Sequence, residues 1–171
     1  ISIRQLDRIN STVENLLRLS RHSEAGTADP DPPQSVELGE VLKEIITLIS
    51  AKCGKAKIEI NDKILSAPKV TAKRKELLHA LLNIVMNSID AMPGGGKLEI
   101  LTDTGQVVIR DTGEGLGPQE LSRMFDPFYT TKERGAGIGL SIAEEIISRA
   151  GGKIEVESAP RKGTRFSIKF K

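Results

Sequence analysis

Apolar residues along this chain recur at two spacings, three-to-four and two, and the change from one to the other divides it into expected helices and strands. In the first twenty residues Leu6, Ile9, Val13 and Leu16 stand three and four apart, with Arg4, Asp7, Arg8, Glu14, Asn15 and Arg18 on the other faces. That is a helix with a narrow heptad seam, about 30 Å long, which needs another helix to cover it. No second heptad helix occurs in the sequence, so the cover is an upstream segment, another copy of the chain, or the main domain itself. Ser23 to Ser35 contains Gly26, Asp29, Pro30, Asp31, Pro32 and Pro33 and almost nothing apolar, the composition of an extended linker.

From Glu37 the helical period returns with Val41, Ile45 and Leu48, predicting a helix to about Ala51. Lys57 to Asn61 alternates as a strand, and a long helix is expected from Lys73 to Met92, closed by Pro93-Gly94-Gly95-Gly96. Lys97 to Thr102 and Gln106 to Arg110 form an expected strand pair joined around Asp103-Thr104-Gly105. A glycine-rich stretch from Asp111 to Gly139 follows, with a short helix over Pro118 to Phe125. Leu140 to Ala150 reads as a helix, and Lys153 to Ser158 and Thr164 to Phe170 as alternating strands. Helices set against a mixed, mostly antiparallel sheet predict an α/β fold, a two-layer α/β sandwich.

Composition narrows the function. Of 171 residues, 25 are Lys or Arg and 23 Asp or Glu, and a net charge of +2 gives no footprint for nucleic acid. The single Cys53 excludes an intrachain disulfide framework and a multi-thiolate metal site, and it suits a reducing, cytoplasmic setting. No run of eighteen apolar residues is present, so no membrane contact is expected of this stretch. It begins at Ile1, as a fragment of a longer protein would, and that parent is compatible with a membrane anchor elsewhere.

Three constellations carry candidate chemistry. The long helix is apolar nearly all round through Leu77, Leu78, Leu81, Leu82, Ile84, Val85 and Ile89, yet His79, Asn83, Asn87 and Asp90 fall on one line. That line meets either solvent or a polar ligand. Two Asn in helical register are poorer helix formers than the Lys or Glu a solvated face would use, and an amide oxygen suits Mg²⁺ held otherwise by phosphates and water. Next, Asp111-Thr112-Gly113-Glu114-Gly115-Leu116-Gly117 follows a strand. Its carboxylate can accept from an exocyclic amine such as that of adenine, and its glycines allow close approach of backbone to a ligand, although a hairpin turn explains them nearly as well. Last, Arg134-Gly135-Ala136-Gly137-Ile138-Gly139-Leu140 opens a helix, whose free N–H groups and dipole form a phosphate site. A loose hinge is compatible with the same residues.

Taken in order, Asn83-Ile84-Val85-Met86-Asn87-Ser88-Ile89-Asp90-Ala91, Asp111-x-Gly113-x-Gly115, Met124-Phe125-Asp126-Pro127-Phe128-Tyr129-Thr130-Thr131-Lys132, Gly135-x-Gly137-x-Gly139-Leu140 and Gly163-Thr164 resemble the N, G1, F, G2 and G3 boxes of sensor histidine kinases. These share the Bergerat ATP-binding fold with gyrase, Hsp90 and MutL. The resemblance covers about Glu37 to Phe170. It implies a catalytic ATP-binding domain over 37–171, preceded over 1–36 by the second helix of a dimerisation and phosphotransfer hairpin with its Pro-rich linker. It also implies ATP and Mg²⁺ as ligands. Asn87 would hold the metal, Asp111 the adenine amine and Thr164 that contact. Asp90, Gly113, Gly115, Gly135, Gly137, Gly139 and Leu140 would belong to the nucleotide site. Phe125 and Phe128 would anchor a lid from Leu116 to Arg134, with Lys132 reaching the phosphates.

Two departures matter. Hydrolytic relatives carry Glu where Asn83 stands, and an amide cannot accept a proton from water, so Asn83 points to phosphoryl transfer instead of hydrolysis. Neither His22 nor His79 lies in the family's acceptor motif. The resemblance therefore implies transfer of the γ-phosphoryl group to a histidine on the hairpin of the full-length, homodimeric kinase, outside this chain, and a response regulator downstream.

Overall fold

The computed structural model describes residues 32–103, 105–131 and 137–170. The expected N-terminal helix, His22, most of the linker, the turn residue Thr104, and Lys132, Arg134 and Gly135 lie outside those residues.

The described chain opens with β1 (Gln34–Glu37), which runs directly into α1 (Leu38–Ala56). It continues through β2 (Ile58–Ile64), β3 (Lys69–Ala72), α2 (Arg74–Asp90), β4 (Gly96–Asp103), β5 (Gln106–Asp111), α3 (Pro118–Arg123), α4 (Gly139–Arg149), β6 (Gly152–Ser158) and β7 (Thr164–Phe170). Strands β2, β4, β5, β7 and β6 form one sheet in that spatial order, with β2 parallel to β4 and the other pairs antiparallel. A parallel neighbour needs a long crossover, and α2 supplies it between β2 and β4. The expected α/β sandwich is what the chain forms.

One sheet face carries Leu98, Ile100, Val107, Ile109, Phe166 and Ile168, all fully buried in a common core with Val41, Ile45, Leu77, Leu81, Ile84 and Ile147 of the helices. The other face shows the polar half of each strand's alternation, laced by exposed ion pairs: Lys97–Glu59, Arg110–Glu99, Arg165–Glu157 and Lys169–Glu155. α1 and α2 are joined at their polar edge by Arg74 Nη2 and Glu44 Oε2, 2.7 Å apart.

Three boundaries differ from expectation for identifiable reasons. α1 runs past Ala51 because Cys53 follows Ile49 at helical spacing and is buried, which outweighs the cost of about 1 kcal/mol for Gly54 in a helix. It stops where Lys57 turns left-handed, φ 57°, and donates its N–H to the carbonyls of Cys53 and Gly54. β2 extends to Ile64 through polar Asn61-Asp62-Lys63, since an edge strand is held by its backbone ladder to β4. Gln34 and Ser35, expected as linker, belong to β1, which pairs with β3 in a separate two-stranded sheet.

Candidate functional site

The polar line of α2 faces an open cleft of ≈ 250 Å³, walled by Asn83, Met86, Asn87 and Asp90 on one side and Gly137, Gly139 and Leu140 on the other, with Leu116, Glu120, Met124, Tyr129, Thr130 and Thr131 closing it. α2 packs its apolar faces into the core, leaving this one line to reach the cleft. Asn83 also ties the two sides together: its side-chain Nδ2–H donates to the Gly139 carbonyl at 3.2 Å, in the first turn of α4. Asp90 pairs with Lys52 of α1, Oδ1 to Nζ 3.2 Å. Six expected site residues, Asn83, Asn87, Asp90, Gly137, Gly139 and Leu140, are thus brought to one place. Among the described residues no group of three or more His, Cys, Asp or Glu converges to form a metal cage.

Asp111, at the end of β5, is 1% exposed and is not part of that wall. Its Oδ1 accepts the N–H of Gly113 at 2.9 Å and the N–H of Thr164 at 3.1 Å. Thr164 acts through its backbone, while its hydroxyl lies 3.0 Å from that of Ser158. Oδ2 is buried and makes no well-formed hydrogen bond; nor does the buried hydroxyl of Ser88, although it bears on the Asp111 carboxyl electrostatically. Burial pushes the Asp111 pKa up from the usual carboxylate range, opposed by the Gly113 N–H, Ser88 and the Thr164 N–H.

The glycines at 113 and 115 are required by the packing of the loop itself. A Cβ on Gly113 would collide with the Ala91 carbonyl at the end of α2, and one on Gly115 with the Ala159 carbonyl in the β6–β7 turn. Gly115 is also left-handed, φ 66°. The loop threads between two pieces of backbone, and Glu114 N–H bonds Ala91 O at 3.0 Å on the way.

Gly137, φ 68°, sits against Phe128, whose N–H donates to its carbonyl at 2.9 Å and whose carbonyl carbon would be 2.5 Å from a Cβ there. This closes a neck between the two ends of the segment 129–136. Phe125 packs on the core as expected. Phe128 does not: the residue is 71% exposed, with a left-handed backbone at φ 67°, and what joins the chain at this end is the Phe128–Gly137 backbone bond.

Other site residues were not anticipated. Glu120 lines the cleft while its carboxylate holds the Gly117 N–H at 2.7 Å, fixing the start of α3. Lys52 comes from a different helix, so no spacing within α2 could reveal it. Ser88 reads in sequence as one more core-facing position. Arg123 lies over the Tyr129 ring, 4.4 Å from its centre.

Comparison with known proteins agrees with this geometry. The family described as histidine kinase-, DNA gyrase B- and HSP90-like ATPases matches residues 72–171. The signal transduction histidine-protein kinase AtoS of Escherichia coli strain K12 is 31% identical over 98% of the chain and 28% of its own length. Full-length histidine kinase ShkA, solved with AMPPNP, superposes with a TM-score of 0.73 at 28% identity, over 95% of this chain and 35% of that one. Histidine kinase ThkA, solved with the response regulator protein TrrA, gives 0.75 at 26% identity, over 98% and 48%. The chain belongs to the histidine kinase-, DNA gyrase B- and HSP90-like ATPase family, on the sensor histidine kinase side. It spans well under half the length of AtoS and the sporulation kinases it matches.

Proposed function

We propose that this chain binds Mg-ATP and transfers its γ-phosphoryl group to a histidine on a dimerisation hairpin, in two-component signalling. The observation that carries this is the cleft in which Asn83 and Asn87 of α2 face the first turn of α4. An eleven-residue helix there presents unpaired N–H groups and the positive end of its dipole to a polar, metal-compatible wall. ShkA solved with AMPPNP supports an adenine nucleotide as the ligand.

In this reading the Asn87 amide oxygen would hold Mg²⁺, which would neutralise phosphate charge; the wall offers the amides of Asn83 and Asn87 and, among the described residues, no carboxylate cage. Gly137, Gly139 and Leu140 offer backbone to the phosphates, with Gly135 and Lys132 from the lid, and Asp90 stands beside them. Asp111 Oδ2 accepts the adenine amine, while Gly113 and Thr164 keep Oδ1 occupied and Gly115 holds the loop. A guanine carbonyl would face Oδ2 acceptor to acceptor, so ATP is favoured over GTP by about 1–3 kcal/mol.

Asn83 cannot accept a proton from water, and its amide N–H is committed to Gly139. The γ-phosphoryl is thereby kept for a nucleophile brought in line by another domain. By the family resemblance the second helix of that hairpin and its linker precede β1, and the catalytic domain runs from β1 onward, in the cytoplasm; ThkA solved with TrrA supports a response regulator as the next partner. Incubation with radiolabelled Mg-ATP tests the reading. The chain alone should bind and retain ATP, and an added hairpin bearing the acceptor His should gain acid-labile phosphate. Rapid turnover to ADP without an acceptor would instead indicate a hydrolytic clamp, and label on His79 would overturn the division of labour.

A further inference from the structure

The cleft wall lacks something a triphosphate site needs. Among the described residues that line it, the formal charges are Asp90 and Glu120, both negative, with no Lys, Arg or His. Mg-ATP is itself an anion, and like charges in a half-open cleft disfavour it. Among the described residues, any further cation besides Lys132 of the proposed lid has to come from just outside the wall.

Arg123 is one, but its guanidinium is stacked on Tyr129 and its Nε reaches Asp126 Oδ2 at 3.4 Å, which commits it to the loop after α3. Lys52 is the other. Its Nζ lies 3.2 Å from Asp90 Oδ1 and 3.9 Å from Met86 Sδ, and both of those residues are cleft wall. The other exposed pairs, such as Lys69–Glu37 and Lys169–Glu155, join strands away from the cleft. An ammonium carries three donors on a flexible four-carbon stem. It can keep Asp90 neutralised and turn a further N–H to a phosphate oxygen. The side chain is 46% exposed, so no burial locks it in place.

We propose that Lys52 of α1 is a specificity-determining residue that supplies the rim of the cleft with a phosphate-facing cation. It lies outside the stretch 72–171 that defines the family match, so the boxes of the site do not include it. The inference rests on the cleft being the nucleotide site.

The test is calorimetric titration of the full chain with Mg-ATP and, separately, with adenosine, at low and at physiological salt. Lys52→Ala should weaken Mg-ATP about five- to tenfold at low salt, less at high salt, and leave adenosine unchanged. Lys52→Arg should restore most of the loss, and Lys52→Gln, which keeps the stem, should show it without loss of packing. Lys55→Ala removes the same charge from the same helix and should bind as the wild type does. Equal Mg-ATP affinity in Lys52→Ala or Lys52→Gln, or an equal loss of adenosine, overturns the role of Lys52 alone. A wild-type chain that binds adenosine but gains nothing from the phosphates overturns it too, and one that binds neither ligand removes the nucleotide reading with it.

Discussion

The two ends of the proposed nucleotide site are made of different material. At Asp111 the partners are backbone: two N–H groups fix one carboxylate oxygen, and the loop that carries Gly113 is wedged between Ala91 and Ala159. Around Asn87 the described wall is made largely of side chains, crossed by the exposed Lys52–Asp90 ion pair, and Phe128 is joined to Gly137 by a backbone hydrogen bond at its edge. Backbone donors in a packed turn need no rearrangement when a ligand arrives, which favours selection of the base. Side chains around an open cleft can follow phosphates whose charge and number change during a reaction.

The sharpest way to separate these ends is Asp111→Asn. The amide oxygen can still take the Gly113 and Thr164 N–H groups, but its NH₂ would then oppose the adenine amine. ATP affinity should fall about a hundredfold, about 3 kcal/mol, with little change in thermal stability. A parallel loss in melting temperature would mean that the residue is structural only. Gly115→Ala should cost about 2 kcal/mol or more of stability without any nucleotide, because both the left-handed φ and the Ala159 carbonyl oppose a side chain. Urea unfolding of the nucleotide-free chain measures this, and an unchanged midpoint would return Gly115 to a ligand-contact role.

At the other end, Asn87→Ala should lower affinity for Mg-ATP about tenfold and leave metal-free ATP binding in EDTA nearly unaltered. Equal losses with and without Mg²⁺ would sink the metal assignment. The smallest effect concerns pH. The Asp111 pKa is raised by burial, so its contribution to folding stability is fully present below the unfolded-state pKa and is lost as pH rises through the folded one. Base recognition needs the ionised form and runs the opposite way. Between neutrality and the upper edge of the carboxylate range, acidification should weaken ATP binding while easing the folding cost of this group, and Asp111→Asn should flatten both trends.

What could be read from sequence divides along the same line. The helices and the central strands follow from period, and Asn83, Asn87 and Gly139 meet in one cleft because helical spacing and a glycine-led helix start are local facts. The short strands β1 and β3 have four residues each and little apolar pattern, and they exist through their pairing with one another. Lys52 and the outward Phe128 were illegible for a related reason: one depends on how α1 lies beside α2, the other on a left-handed backbone at a residue bonded to Gly137 across the neck. The glycines at 113 and 115 were legible as necessary, but their packing role was not, since only the fold shows that carbonyls of Ala91 and Ala159 lie beside them.

The Phe128–Gly137 hydrogen bond has a consequence for reach. Eight residues, 129–136, leave and return through one neck. A tethered loop can extend no farther than half its contour, and at about 3.4 Å per residue that is roughly 14 Å from the neck. The backbone of the segment stays within that radius while the neck is shut, so anything Lys132 or Arg134 touches has to come within it by no more than the length of a side chain, and lengthening the segment by a few residues would widen the circle.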